Sequence, residues 1–377
     1  MSRKLLSFTA IGLILGSTAI ADVPKVAVDI APVHSLVSRV MEGVGSPKLI
    51  IPAGASPHEY SLRPSEAKSL QDADMVIWMG EDLAPWMENS IETLSKNAEV
   101  ITLLEESDTK LLDFREGALF EEHDHGDHDD HDKDHDDHDD HDDHDDHDHD
   151  KDHDDHDDHD DHDDHDKDHD DHDDHDDHDD HDHDKDHDDH DDHDDHDDHG
   201  DHDGHAHGEH DPHAWLSIEN AQTWLNLVAG KLSAADPDNA GVYFANAAAA
   251  REEINDLVKE VNSILEPVRG RNFVVFHDAY QYFETSFDFP AAGAISLGDA
   301  TDPSAARIAE IQDRVKDEGI NCVLSEPQYN ANLVATVLSG TDAKTGVIDP
   351  LGLGLEPGSK LYGDLIRNMA KALAGCL

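Results

Sequence analysis

Residues 236–270 read DPDNAGVYFANAAAAREEINDLVKEVNSILEPVRG, and the architecture turns on how they fold. Ile254, Leu257, Val258, Val261, Ile264, Leu265 and Val268 recur at the i, i+3, i+4, i+7 spacing that lays one apolar stripe along a helix. Asp236-Pro237 supplies a start signal, and Pro267 with Gly270 a stop. At 1.5 Å of rise per residue, about 28 helical residues reach roughly 40 Å. A helix that long can run along two lobes as their connector or serve as a core helix of one, and the pattern alone leaves both readings open.

On either side of it the chain repeats a strand-then-helix rhythm. Before it come KVAVDI (25–30), PKLIIPAG (47–54), DMVIWMG (74–80) and AEVITLLE (98–105), alternating with helix-like segments such as SLVSRVMEGV and PSEAKSLQDA. After it come RNFVVFHDA (271–279), AAGAISL (291–297), NCVLSEP (321–327) and TGVIDPLG (345–352), with PSAARIAEIQDRVKDEG among the helical segments between them. Short, continuously apolar strands alternating with helices predict parallel sheets covered on both faces. The expected fold class is α/β, with two Rossmann-like lobes joined by one long helix. The lobes are 22–122 with 211–236, and 270–377; the linking helix is 237–269.

Residues 123–210 interrupt the first lobe. They hold 30 of the 34 His, 49 acidic residues and 4 Lys, almost without apolar side chains. Such a segment cannot bury enough surface to offset the entropy of ordering, so it is expected to be a disordered loop. Neutral imidazole suits zinc, copper and nickel, which favours many weak, interchangeable metal sites there over a plain acidic spacer. The formal net charge of the chain is −65; the rest of it carries 42 acids and 22 bases, an acidic globular body with one extreme insertion. A surface of that sign repels phosphate, which argues against nucleic acid as a partner.

The first 25 residues, MSRKLLSFTAIGLILGSTAIADVPK, place Arg3 and Lys4 before an apolar stretch and a small-x-small site at Ala19-Ile20-Ala21. That pattern predicts a signal peptide over 1–21 and export; the stretch is short for a membrane span, and no Cys near the cleavage point suggests a lipid anchor. Cys322 and Cys376 are the only cysteines. In an exported protein an even pair reads as a disulfide, with two buried thiols as the alternative.

Four histidines remain outside the insertion: His34, His58, His213 and His277. His58 lies in PAGASPHEYSLRPSE, directly after the second strand; His213 lies in DPHAWLS; His277 ends NFVVFHDA, the first strand of the second lobe. Ligand sites of open α/β sheets collect beyond the carboxyl ends of strands. Three imidazoles converging there suit Zn²⁺, bound at about 2.0–2.1 Å with a fourth position left over. Glu59, Asp349 and water are the candidates for that position, and His34 reads as structural.

The motifs SPHEYSLRPS, DPHAWLS, FHDAYQYFE, SEPQYN and DPLG, in this order and flanking a His/Asp-rich insertion, resemble the zinc-specific solute-binding proteins of bacterial ABC transporters, the ZnuA-type members of the cluster built on a rigid linking helix. The resemblance runs from about Val26 to the C-terminus. It implies zinc held between two lobes by His58, His213 and His277, with Glu59 or water completing the shell, and it agrees with a Cys322–Cys376 pair. It makes the insertion the family's charged loop, here much longer than usual. Manganese-type relatives have a carboxylate where this chain has His277. The expected function is periplasmic high-affinity zinc binding and delivery to the membrane permease of an ABC transporter. The protein would be a monomer and not an enzyme, with the insertion as a low-affinity zinc reservoir or sensor. Two rivals come from other classes: a zinc-dependent hydrolase using the same three-His site with Glu59 as general base, and a stand-alone periplasmic metal buffer.

Overall fold

The computed structural model describes residues 23–115, 120, 210–296, 304–328 and 331–377. The expected signal peptide and the His/Asp-rich stretch up to residue 209 lie outside the described residues. Among the described residues, eight strands form two four-stranded parallel sheets.

The first sheet contains β1 (Val26–Val28), β2 (Lys48–Leu49), β3 (Met75–Trp78) and β4 (Glu99–Thr102), in the order β2-β1-β3-β4. Helices α1 (Ala31–Val40), α2 (Pro64–Gln71) and α3 (Pro85–Leu94) connect them. The second sheet contains β5 (Phe273–His277), β6 (Ala294–Ser296), β7 (Cys322–Ser325) and β8 (Lys344–Val347), in the order β6-β5-β7-β8, with α6 (Gln281–Phe287), α7 (Ala305–Asp317) and α8 (Ala331–Val337) between them. The two orders are the same. In each, the strand order reverses between the first and third strands, which opens a crevice at their carboxyl ends. β1, β3 and β5 are buried along their whole length, as apolar strands between two helical layers should be. Each of the eight apolar segments singled out in the sequence contains or overlaps one of these strands, most of them trimmed by a residue or more at each end.

Helix α4 (Ile218–Ala235) leads through a short 3₁₀ turn at Pro237–Asn239 into α5 (Ala240–Leu265). The 26 residues of α5 correspond to about 39 Å at 1.5 Å per residue. Its start is fixed by Asp236, which is buried and accepts from Tyr243 Oη (2.8 Å) and Asn239 Nδ2 (2.7 Å). Tyr243, Ala247, Ala250, Ile254, Leu257, Val261 and Leu265 form its buried stripe. That stripe packs on α1 and α4, which precede it in the chain, and on the C-terminal helix α9 (Leu361–Cys376), so one hydrophobic core runs through both lobes. Of the two readings open in the sequence, the connector is the one realised. α9 doubles the link: Tyr362 N–H donates to Ser35 Oγ of α1 (2.9 Å).

Cys322, the first residue of β7, is disulfide-bonded to Cys376, the last residue of α9, with Cα atoms 5.7 Å apart. Gly346 makes room for it. A Cβ there would come within 2.8 Å of Leu324 Cδ2 and 3.1 Å of Cys376 Cβ. No described helix is long and apolar enough to cross a membrane.

Candidate metal centre

His277 is the last residue of β5 and is buried; Glu326, equally buried, follows the last residue of β7. Adjacent parallel strands therefore end in an imidazole and a carboxylate, and His277 Nδ1 is hydrogen-bonded to Glu326 Oε1. His213 enters from another direction, at the head of a 3₁₀ turn over Ala214–Leu216. Asp211 shapes that turn: its Oδ1 accepts the His213 backbone N–H (2.9 Å) and lies 2.7 Å from His213 Nδ1.

A buried carboxylate at Nδ1 favours the proton on that nitrogen, the tautomer in which Nε2 is the metal-binding nitrogen. Both Nε2 atoms then face each other, 3.5 Å apart. Two nitrogen ligands of one tetrahedral ion at 2.0–2.1 Å stand roughly 3.3 Å apart. His58 closes the third side. It sits half-buried in the irregular segment after β2, its ring centroid 5.5 Å from that of His213, and the segment is fastened where Trp86 Nε1 donates to the Pro57 carbonyl (2.8 Å).

The three imidazoles, Glu326 and Gln328 line one cavity, with Pro57, Trp215 and Leu351 among its apolar walls. The space open to a water-sized sphere is about 20 Å³, room for one small occupant. The Gln328 amide, with both polar atoms out of solvent, has no hydrogen-bond partner among the described residues. No group of three or more His, Cys, Asp or Glu among the described residues stands in ready metal-holding geometry. What the fold supplies is a convergence of three imidazoles on one small space.

The other candidates lie elsewhere. Glu59 is exposed and is not among the residues lining the cavity. Asp349 is used locally: its Oδ1 accepts from the N–H groups of Leu351 (2.9 Å) and Gly352 (3.0 Å), holding the loop that brings Leu351 to the wall. Burial pushes its carboxyl up, against those backbone bonds. His34 is buried in α1, its Nε2 3.3 Å from the Pro47 carbonyl and its Nδ1 3.5 Å from Ser38 Oγ, and burial holds its pKa below the usual histidine value. Asp211 and Glu326 were not singled out in the sequence. Both lie in quoted motifs, and the rule that places His277 at a strand end also places Glu326 on the neighbouring one.

A family model described as the periplasmic zinc-uptake complex component A matches residues 26–376. The chain belongs to that family. It is 44% identical over 367 residues to the high-affinity zinc uptake system protein ZnuA of Paracoccus denitrificans, covering 96% of this chain and 95% of that protein. It is 42% identical over 362 residues to the protein of the same name from Brucella abortus, covering 96% and 94%. Among solved structures, the zinc-bound 138–173 deletion mutant of a ZnuA overlays with a TM-score of 0.62 at 17% identity, over 94% of this chain and 98% of that one, a likeness of fold. Family membership places the protein among solute-binding components of zinc uptake.

Proposed function

We propose that the protein captures a single zinc ion in the periplasm through His58, His213 and His277 and delivers it to the membrane permease of an ABC transporter. The observation that carries this reading is the pair of Nε2 atoms aimed at each other across 3.5 Å, each imidazole braced from behind by a buried carboxylate. Two imidazole nitrogens so placed stand at the separation that a single bridging Zn²⁺ requires. Three imidazoles and no thiolate suit Zn²⁺ better than the harder Mn²⁺. Water completes the shell; Glu59, although next to His58 in sequence, is exposed and does not line the cavity. Zinc is the cargo, and no turnover is required of the site.

Because α5 and α9 fuse the lobes into one core, release proceeds through small movements of the segment carrying His58 rather than wide hinge closure. Solution scattering should then show nearly the same radius with and without zinc, and a large contraction on loading would contradict this. The stretch over 123–210 gathers zinc weakly, as a low-affinity reservoir. Deleting it, while keeping His210 and its 3.0 Å bond to Asp113, should remove many weak sites and leave one tight one. The direct test is zinc titration of the wild type beside a His58→Ala/His213→Ala/His277→Ala variant. Tight binding that survives the triple change refutes the site.

A further inference from the structure

Beside the cavity, one guanidinium serves two buried carboxylates. Arg115 Nε bonds Asp278 Oδ1 (3.1 Å) and Oδ2 (3.0 Å), and Nη2 also reaches Asp278 Oδ1. Its Nη1 bonds Glu284 Oε2 (2.8 Å) and its Nη2 bonds Glu284 Oε1 (3.1 Å). Asp278 and Glu284 are 4% and 5% exposed, so nearly all the compensation for their charge comes from protein groups. Asp278 directly follows His277. Glu284, in α6, also accepts the Ala291 N–H (3.0 Å) ahead of β6.

The arginine comes from a segment that touches the support of the other ligand as well. Leu112 accepts the Asp211 N–H (2.8 Å), and Tyr282 Oη donates to the Asp211 carbonyl (2.9 Å) while accepting the Leu112 N–H (2.9 Å). Residues 112–115 therefore hold both Asp211, which orients His213, and Asp278, which is joined to His277.

We infer that Arg115 is a positioning residue of the metal centre, holding the turn after β5 so that His277 keeps its aim at His213. The inference rests on the three-histidine zinc reading. The fork of a guanidinium can grip two carboxylates at once, which an ammonium cannot. Without it, two buried carboxylates face one another with no cation, and the turn must open to hydrate them. His277, the residue before that turn, moves with it. Partners that orient metal ligands in this way typically change metal affinity by about 10–100-fold when lost.

The test is the full-length mature protein loaded with one equivalent of metal. Zinc dissociation is followed into excess chelator, and the visible spectrum is recorded with Co²⁺ in place of zinc. Arg115→Ala should dissociate zinc about tenfold or more faster and alter the cobalt bands, and Arg115→Lys, which restores charge without the fork, should fall between it and wild type. A wild-type rate and spectrum in Arg115→Ala overturn the inference even if its melting temperature falls. Should that variant not fold, Asp278→Asn gives the same reading, with faster release expected and unchanged release overturning. His277→Ala beside them separates two kinds of failure. Loss of tight metal there with an unaffected Arg115→Ala removes only the positioning role, whereas retention of tight metal removes the three-histidine reading and this inference with it.

Discussion

β1 and β5 occupy the same place in two sheets of the same strand order, yet they end in different chemistry. In the first lobe the residue after β1 is Asp29, fully buried, whose carboxylate accepts the N–H of Ile30 (2.7 Å) and, across the crevice, that of Met79 just beyond β3 (2.6 Å). In the second lobe β5 ends in His277, which reaches across to Glu326 just beyond β7. The reversal of strand order provides one such position per sheet. The first lobe closes its position on its own backbone; the second leaves a nitrogen pointing outward. Equivalent topology thus yields a latch in one lobe and a ligand in the other, and the first lobe must supply its histidine from the irregular segment around His58.

That contrast can be broken at several points. The largest effect is expected at the ligand itself: His277→Ala should weaken zinc binding more than about a hundredfold, beyond the loss typical of outer partners, in competition with a chelating dye. Next comes its brace. Glu326→Gln should cost about 10–100-fold in the same titration, because the amide no longer holds the Nδ1 proton as a carboxylate does. Trp86→Phe removes the anchor of the Pro57 carbonyl, a neutral hydrogen bond worth about 1 kcal/mol, and should weaken zinc severalfold.

Asp29 gives the smallest effect on zinc and the clearest one on stability. Asp29→Asn should leave zinc affinity at the wild-type value and destabilise the metal-free fold by about 1–3 kcal/mol, since one buried N–H loses its acceptor. Burial pushes the Asp29 carboxyl up to about 7 from 3.8, against the pull of the Met79 and Ile30 N–H groups. The folded form therefore holds the proton more tightly than the unfolded chain. The stability this contributes is complete below about pH 4 and is lost as pH rises through about 7. Thermal melts of the metal-free protein from pH 5 to 8 should show this decline in wild type and a flatter profile in Asp29→Asn.

The sheets and the groups around the site differed in how much the sequence disclosed. Apolar runs such as MVIW and FVVF revealed the sheets, because a strand buried on both faces has no polar positions to blur it. His277 and His58 were legible from their places after strands, and His213 from its motif. Glu326 and Asp211 were not, because bracing an imidazole from behind depends on which strand neighbours which, and strand order is not written in local pattern. Glu59 shows the converse. Adjacency to His58 made it attractive, but in the bends of that irregular segment it stays exposed and outside the cavity lining. The span of α5 was readable in length, but its role as connector depended on its partners α1, α4 and α9.

The most direct test of three distant imidazoles meeting on one ion is zinc-edge X-ray absorption of the mature protein carrying a single equivalent of metal. The account predicts three imidazole nitrogens and one oxygen at about 2.0–2.1 Å, with one nitrogen lost in His213→Ala. A wild-type spectrum unaltered in that variant would place the tight metal elsewhere and contradict it.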